Sequence, residues 1–154
     1  MKKINQMHME FDAKSVNEGL ARMTVAAFMM DMNPTLDQLQ DVKTAVSEAV
    51  TNAIIHGYAV ENELSQSEEA NKQVTLICKR EDARLEIVVI DRGVGIADVK
   101  KAREPFFTTK PDMERSGMGF VFMETFMDEI EVESKEGEGT TVRMIKYITG
   151  EREQ

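Results

Sequence analysis

The sequence predicts an α/β protein in two layers, with helices gathered on one face of a largely antiparallel mixed sheet. Three observations predict it. Short β-rich runs occur at the start, middle and end of the chain. Two long stretches repeat apolar residues every three or four positions. The order is strand, two helices, two strands, one or two helices, two strands. At 154 residues with 42% hydrophobic side chains the chain can build a core without a disulfide or metal staple. One domain over 1–154 is expected, with no internal repeat.

Each element has its own signal. Met7, Met9 and Phe11 alternate with polar residues over 4–12, the pattern of a half-buried strand. Val16, Leu20, Met23, Ala27 and Met30 then trace a helical stripe, with Ser15 as the expected N-cap and Asn33-Pro34 as the stop. Thr35 and Gln38 have capping-box spacing, and Leu36, Leu39, Val42, Val46, Val50 and Ile54 form the stripe of the longest helix, which Gly57 is expected to end. Residues 61–72 are polar, acidic and aperiodic, a solvated connection.

QVTLICKR and RLEIVVID flank the turn-like EDA and read as a hairpin ending at Asp91. A short helix is expected from about Ala97 to Arg103, then a loop, EPFFTTKPDMERSG, with two prolines and no period. A helix from Gly117 to Met127 follows, and EIEVES and TTVRMIKYI close the chain as a hairpin around KEGEG.

Charge narrows the partners. With 28 acidic against 19 basic residues, a formal charge of -9 repels nucleic acid and anionic membrane, although a few local groups can still hold a small phosphate ligand. The opening MKKINQMHMEFD lacks the apolar run of a secretory leader, and no apolar run is long enough to span a membrane. Cys78, the single cysteine, sits in the apolar run Val74 to Cys78 and reads as a buried structural thiol. A reducing, cytoplasmic location is the expectation.

Three places carry chemistry. Glu48, Asn52 and His56 stand four residues apart on one edge of the long helix, beside its apolar stripe. Asparagine is a poor interior helix residue, so Asn52 has a role to explain, and its carboxamide oxygen suits a hard cation. His56, next to the helix-ending Gly57, is assigned a structural role at the C-terminal dipole. Asp91 follows an apolar strand, and Gly93 and Gly95 let backbone approach a ligand. Ser116, Gly117, Met118 and Gly119 open a helix flanked upstream by Lys110 and Arg115; this is either a phosphate-binding helix start or a flexible loop. Neither a P-loop nor a dinucleotide fingerprint is present.

Taken in order, Glu-x-x-x-Asn on a helix, Asp-x-Gly-x-Gly after a strand, and Thr-Thr-Lys-Pro with Gly-Met-Gly before a helix resemble the N, G1 and G2 boxes of the GHKL superfamily, which includes gyrase and histidine kinases. The strings VSEAVTNAIIHGY, DRGVGI, AREPFFTTKP and ERSGMGFVFMETFMDEIEVES are similar to those of the anti-sigma F family of spore-forming bacteria. The resemblance implies the Bergerat ATP-binding fold and a serine kinase that uses ATP with Mg²⁺ and also holds ADP. It implies two protein partners, a sporulation sigma factor of the sigma F type and an anti-sigma antagonist that accepts phosphate, and a homodimer.

By the same resemblance Glu48 is the general base and Asn52 the magnesium ligand. Asp91 receives the adenine amino group, Gly93 and Gly95 make room for base and ribose, and Thr140 lies near adenine. Thr108, Thr109, Lys110, Arg115, Ser116, Gly117, Met118 and Gly119 form the lid and phosphate contacts, and Arg22 meets both protein partners. A nucleotide-gated binding module without transferase activity is the rival reading, and a stress-response kinase of the same superfamily the nearest competitor.

Overall fold

A computed structural model of the chain describes residues 1–57, 72–105 and 118–149. Five strands form one sheet in the order β1-β2-β3-β5-β4: β1 (Ile4–Asp12), β2 (Gln73–Glu81), β3 (Arg84–Asp91), β4 (Glu129–Lys135) and β5 (Gly139–Tyr147). The helices are α1 (Asn17–Met29), α2 (Leu36–Asn52), the single turn α3 (Val99–Ala102) and α4 (Gly119–Phe126). All four ladders are antiparallel, without the mixed pairing for which the expectation left room. The topology requires this for β1 and β2, because two helical passes return the chain to the end of the sheet it left.

The alternating pattern of the strands sorts their side chains by face. Phe11, Val74, Leu76, Cys78, Leu85, Ile87, Val89, Val142 and Met144 meet the helices in one core cluster, with Met7 and Met9 packed against its margin. Cys78 is fully buried and desolvation pushes its thiol up to about 12, as a structural thiol requires. The opposite face carries exposed Lys79, Glu131 and Arg143.

Helix α2 begins as its sequence requires. The Thr35 hydroxyl accepts from Gln38 N at 3.1 Å, and the Gln38 side chain accepts from Thr35 N at 3.0 Å. Val42, Val46, Val50 and Ile54 of its stripe are buried, and the helix packs against both α1 and α4. Leu36, counted in that stripe, lies exposed in the first turn.

Helix α1 corrects the sequence reading. The expected stripe faces outward: Leu20 is 50% exposed, Met23 59% and Met30 58%, and Val16 and Ala27 are also exposed. The buried face is Ala21, Val25, Ala26 and Met29. Apolar residues wrap most of this helix, so periodicity could not choose a face; small side chains at three of the four contact positions let the backbone lie close to its neighbours. Ser15 is not the cap either, since Val16 holds that position without a side-chain cap bond. The helix ends in a 3₁₀ turn, Met30–Met32, with Asn33 in the left-handed conformation (φ 55°). Arg80, on the inner face of β2, reaches Asp31 in that turn at 2.5 Å and fixes it to the sheet.

Two other boundaries shift. The helix expected over 97–103 is reduced to α3, because the Asp98 side chain caps it by accepting from Lys101 N at 3.0 Å. The helix expected from Gly117 is described from Gly119, with Met118 at its N-cap. Arg103 and Glu124 form an ion pair that joins α3 to α4.

Candidate functional site

The end of α2 is where the fold becomes unusual. The expected continuous α-helix widens into a π-helical turn over Ala53–Gly57. Such turns are uncommon and tend to occur at functional sites. Here the turn brings the Gly57 carbonyl to the loop that follows β3, where it accepts from Val94 N at 2.8 Å. A methyl group on Gly93 would overlap that same carbonyl, and one on Gly57 would sit 2.7 Å from the Asp91 carboxyl. Glycine at both positions is therefore what lets helix end, loop and strand end close on one another.

These elements enclose a cavity of about 390 Å³, within the usual range for small-molecule sites. Its wall is mainly apolar, from Ala49, Ala53, Val89, Val94 and Val142 among others, with Asn52, His56, Asp91, Asp98, Glu136 and Thr140 as polar points. Asp91 and Thr140 are direct cross-strand partners on β3 and β5, both under 9% exposed. Burial raises the Asp91 carboxyl to about 6, against smaller opposing effects of hydrogen bonds from the backbone of Gly93 and Thr140; Gly93 N donates to Oδ1 at 3.0 Å. A buried carboxylate shifted towards neutrality in a cavity wall is a mark of a binding site.

The polar edge of α2 faces α4. Asn52 lines the cavity, and a Cβ on Gly119, the first residue of α4, would stand 3.2 Å from Asn52 Oδ1 and 3.2 Å from Glu48 Oε2. The absence of a side chain at Gly119 thus gives α4 its seat against the carboxamide and the carboxylate. Glu48 is half-buried at the rim of the cavity and is not among its lining residues. One turn of helix separates Glu48 from Asn52, which leaves a carboxylate beside, and not within, any group that Asn52 contacts.

The structure therefore brings together Glu48, Asn52, Asp91, Gly95, Gly119 and Thr140, with Gly93 behind the wall as packing and not as lining, and with half-buried Met118 next to Gly119. Thr108, Thr109, Lys110, Arg115, Ser116 and Gly117 lie outside the described residues, as does most of the acidic connection over 61–72. Arg22 stands apart on α1. It pairs with Glu18 at 3.7 Å, Glu18 also bonds the Ser47 hydroxyl of α2, and Arg22 Nε is buried with no hydrogen-bond partner among the described residues.

Two contributors escape the sequence reading. His56 lines the cavity, where the reading gave it a purely structural place at the helix end. Its spacing from Asn52 was the available signal. Gly57, expected only to stop the helix, also closes on the loop after β3. Among the described residues no group of three His, Cys, Asp or Glu side chains is placed to hold a metal ion, and no helix is long and apolar enough to cross a membrane.

Comparison with known proteins agrees with this geometry. Residues 11–146 match the family model described as histidine kinase-like ATPase domain. The chain is 52% identical over 145 residues to the anti-sigma F factor of Geobacillus sp. (strain WCH70), and 48% identical over 145 residues to that of Bacillus subtilis (strain 168); each match covers 94% of both chains. Among solved structures, the RsbU and RsbW domains of a Mycobacterium tuberculosis protein superpose with a TM-score of 0.63 at 16% identity, covering 94% of this chain and 32% of that one. The catalytic domain of histidine kinase ThkA superposes with a TM-score of 0.52 at 18% identity, covering 94% and 99%. With the family model matched over most of its length and about half its residues shared with these relatives, the chain belongs to the anti-sigma F factor family, built on a histidine kinase-like ATPase domain.

Proposed function

We propose that this cytoplasmic chain is an ATP-dependent serine kinase that doubles as an anti-sigma factor, holding a sigma factor of the sigma F type and phosphorylating a serine of the antagonist that displaces it. The observation that carries the reading is the meeting of the Glu48–Asn52 edge, Gly119 and the buried Asp91–Thr140 pair around one cavity. Asp91 accepts from the adenine amino group, and the apolar wall takes the faces of the base. Asn52 would hold Mg²⁺ through its one neutral carboxamide oxygen. Bound there, Mg²⁺ supplies charge neutralisation at the phosphates.

The residues of the chain divide the remaining work. Glu48, a turn away from Asn52, accepts the proton of an incoming serine hydroxyl. The start of α4 presents backbone N–H groups to phosphate oxygens, together with Ser116, Gly117 and Met118. Thr108, Thr109, Lys110 and Arg115 complete the phosphate contacts and offset charge on the transferring group. Product ADP keeps the base-side contacts.

Partner surfaces are assigned to α1, which packs against α2 and is tied to Ser47, next to Glu48, through Glu18. Arg22 and the exposed apolar face of α1 supply a contact for the sigma factor and for the antagonist. The two sheet edges differ: β4 exposes Glu129, Glu131 and Glu133, which oppose pairing, whereas the first half of β1 exposes Asn5, Gln6 and His8, with the acidic Glu10 and Asp12 only towards its end. Edge β1 is therefore the surface for a homodimer, and a solution mass of one copy would remove that part of the proposal.

The test is phosphate transfer from labelled Mg·ATP to the purified antagonist. Glu48→Gln is expected to lower transfer by about 10²–10⁴-fold while ATP still binds. Undiminished transfer would overturn the base assignment, and ATP binding with no transfer by the unaltered protein would favour the binding-module reading.

A further inference from the structure

Behind the base-side wall of the cavity, Ser134 of β4 makes three contacts at once. Its Oγ accepts from Ile96 N at 2.7 Å, donates to the Gly139 carbonyl at 3.0 Å, and lies 2.8 Å from Thr140 Oγ1. Ser134 itself is not among the lining residues, whereas Thr140 and Ile96 are. A serine hydroxyl has one proton and two lone pairs. The Gly139 carbonyl can only accept, so it takes the Ser134 proton. Ile96 N–H can only donate, so it takes one lone pair. The contact to Thr140 is then satisfied in one way: the Thr140 hydroxyl donates to Ser134.

With its proton committed behind the wall, Thr140 has only lone pairs left for the cavity. Its cross-strand partner Asp91 is also an acceptor when ionised, and the Gly93 and Thr140 backbone donors beside it are already turned onto that carboxylate. We infer that Ser134 is the specificity-positioning residue of the site: by fixing the Thr140 hydroxyl as an acceptor and tying the Ile96 backbone to β4, it makes the base-side wall select a 6-aminopurine over a 6-oxopurine. A 6-amino group brings two N–H donors to this wall. A 6-oxo group brings lone pairs against lone pairs, and an acceptor that meets no donor is left unpaired in a buried wall. The inference rests on the adenine nucleotide reading above and goes beyond it, since that reading assigns nothing to Ser134.

The experiment compares ADP with IDP, which carries oxygen in place of the 6-amino group, by titration calorimetry. The unaltered protein is expected to prefer ADP. Ser134→Ala is expected to reduce the ADP-to-IDP affinity ratio by about tenfold, because Thr140 can then turn its proton into the cavity and serve a 6-oxo acceptor. Ser134→Thr, which keeps the hydroxyl, is expected to restore the ratio. A purely structural serine would weaken both nucleotides alike, so an unchanged ratio in Ser134→Ala overturns the inference and leaves the nucleotide reading intact. Thr140→Val is the second probe in case Ser134→Ala does not fold: it also lowers the ratio if the hydroxyl is the selective acceptor, and an unchanged ratio overturns the proposal. No ADP binding by the unaltered protein would instead sink the nucleotide reading itself.

Discussion

Helices α1 and α2 lie against one another, and both repeat apolar residues at spacings of three and four, yet their apparent stripes have opposite fates. In α2 most of the stripe is the buried face, and the edge beside it carries the site. In α1 the stripe with the larger side chains is exposed, and a narrower face of Ala21, Val25, Ala26 and Met29 is buried. The difference lies in how much apolar surface each helix has to place. Helix α2 confines it to one side and has no choice. Helix α1 carries more than the core can accept, so the face that packs most closely wins, and the surplus is left where another protein can cover it.

Substitution can break this comparison. The largest effect on stability is expected from Ile54→Ala at the end of the α2 stripe, where Ile54 is 1% exposed: a loss of about 2–5 kcal/mol by denaturant titration. A loss as small as at a surface position would mean that the α2 end is not packed as described. Next is Asp91→Asn. The Asp91 carboxyl stands at about 6 in the fold against an ordinary 3.8. A raised value means that the protonated form favours folding, so that contribution is present below about pH 4 and is lost as pH rises through 6. Above pH 6 the variant, which has no charge to bury, is expected to be more stable than the parent by about 3 kcal/mol, with the gain vanishing towards pH 4. It is also expected to lose adenine nucleotide. A variant less stable at pH 8 than its parent would show that the carboxylate is not burdened by burial.

The smallest effect on stability is expected on α1. Leu20→Ser with Met23→Ser should change stability by only about 0.5 kcal/mol, as surface positions do, while weakening capture of the sigma factor in a pull-down with ATP. A large loss of stability would restore the expected stripe to the core, and unchanged capture would take this face out of the partner surface.

How far the sequence could be read follows the same division. The Thr35–Gln38 capping box, the hairpin that ends in Asp91 and the alternation of Met7, Met9 and Phe11 are local signals, and each appears where it was expected. The Glu48–Asn52–His56 row was legible for the same reason, since helix geometry fixes which residues share an edge. The use of His56 was not, because whether that edge meets solvent or a cavity depends on strands from elsewhere in the chain. Ser15 failed as a cap because a capping residue is chosen by how the chain leaves the preceding strand as well as by its own side chain.

What the sequence determined by itself was the order of elements, the buried stripe of α2 and the placing of a carboxylate at the end of β3. Each follows from a period or turn chemistry within a few residues. Only the tertiary structure decided which side of α1 is buried, the widening of the last turn of α2, the closure of Gly57 on Gly93, and the triple contact of Ser134 with Ile96, Gly139 and Thr140. Most of these join residues far apart in the chain. Their energies depend on shape and on which donor meets which acceptor after the sheet has formed, and no local pattern of apolar and polar residues encodes that.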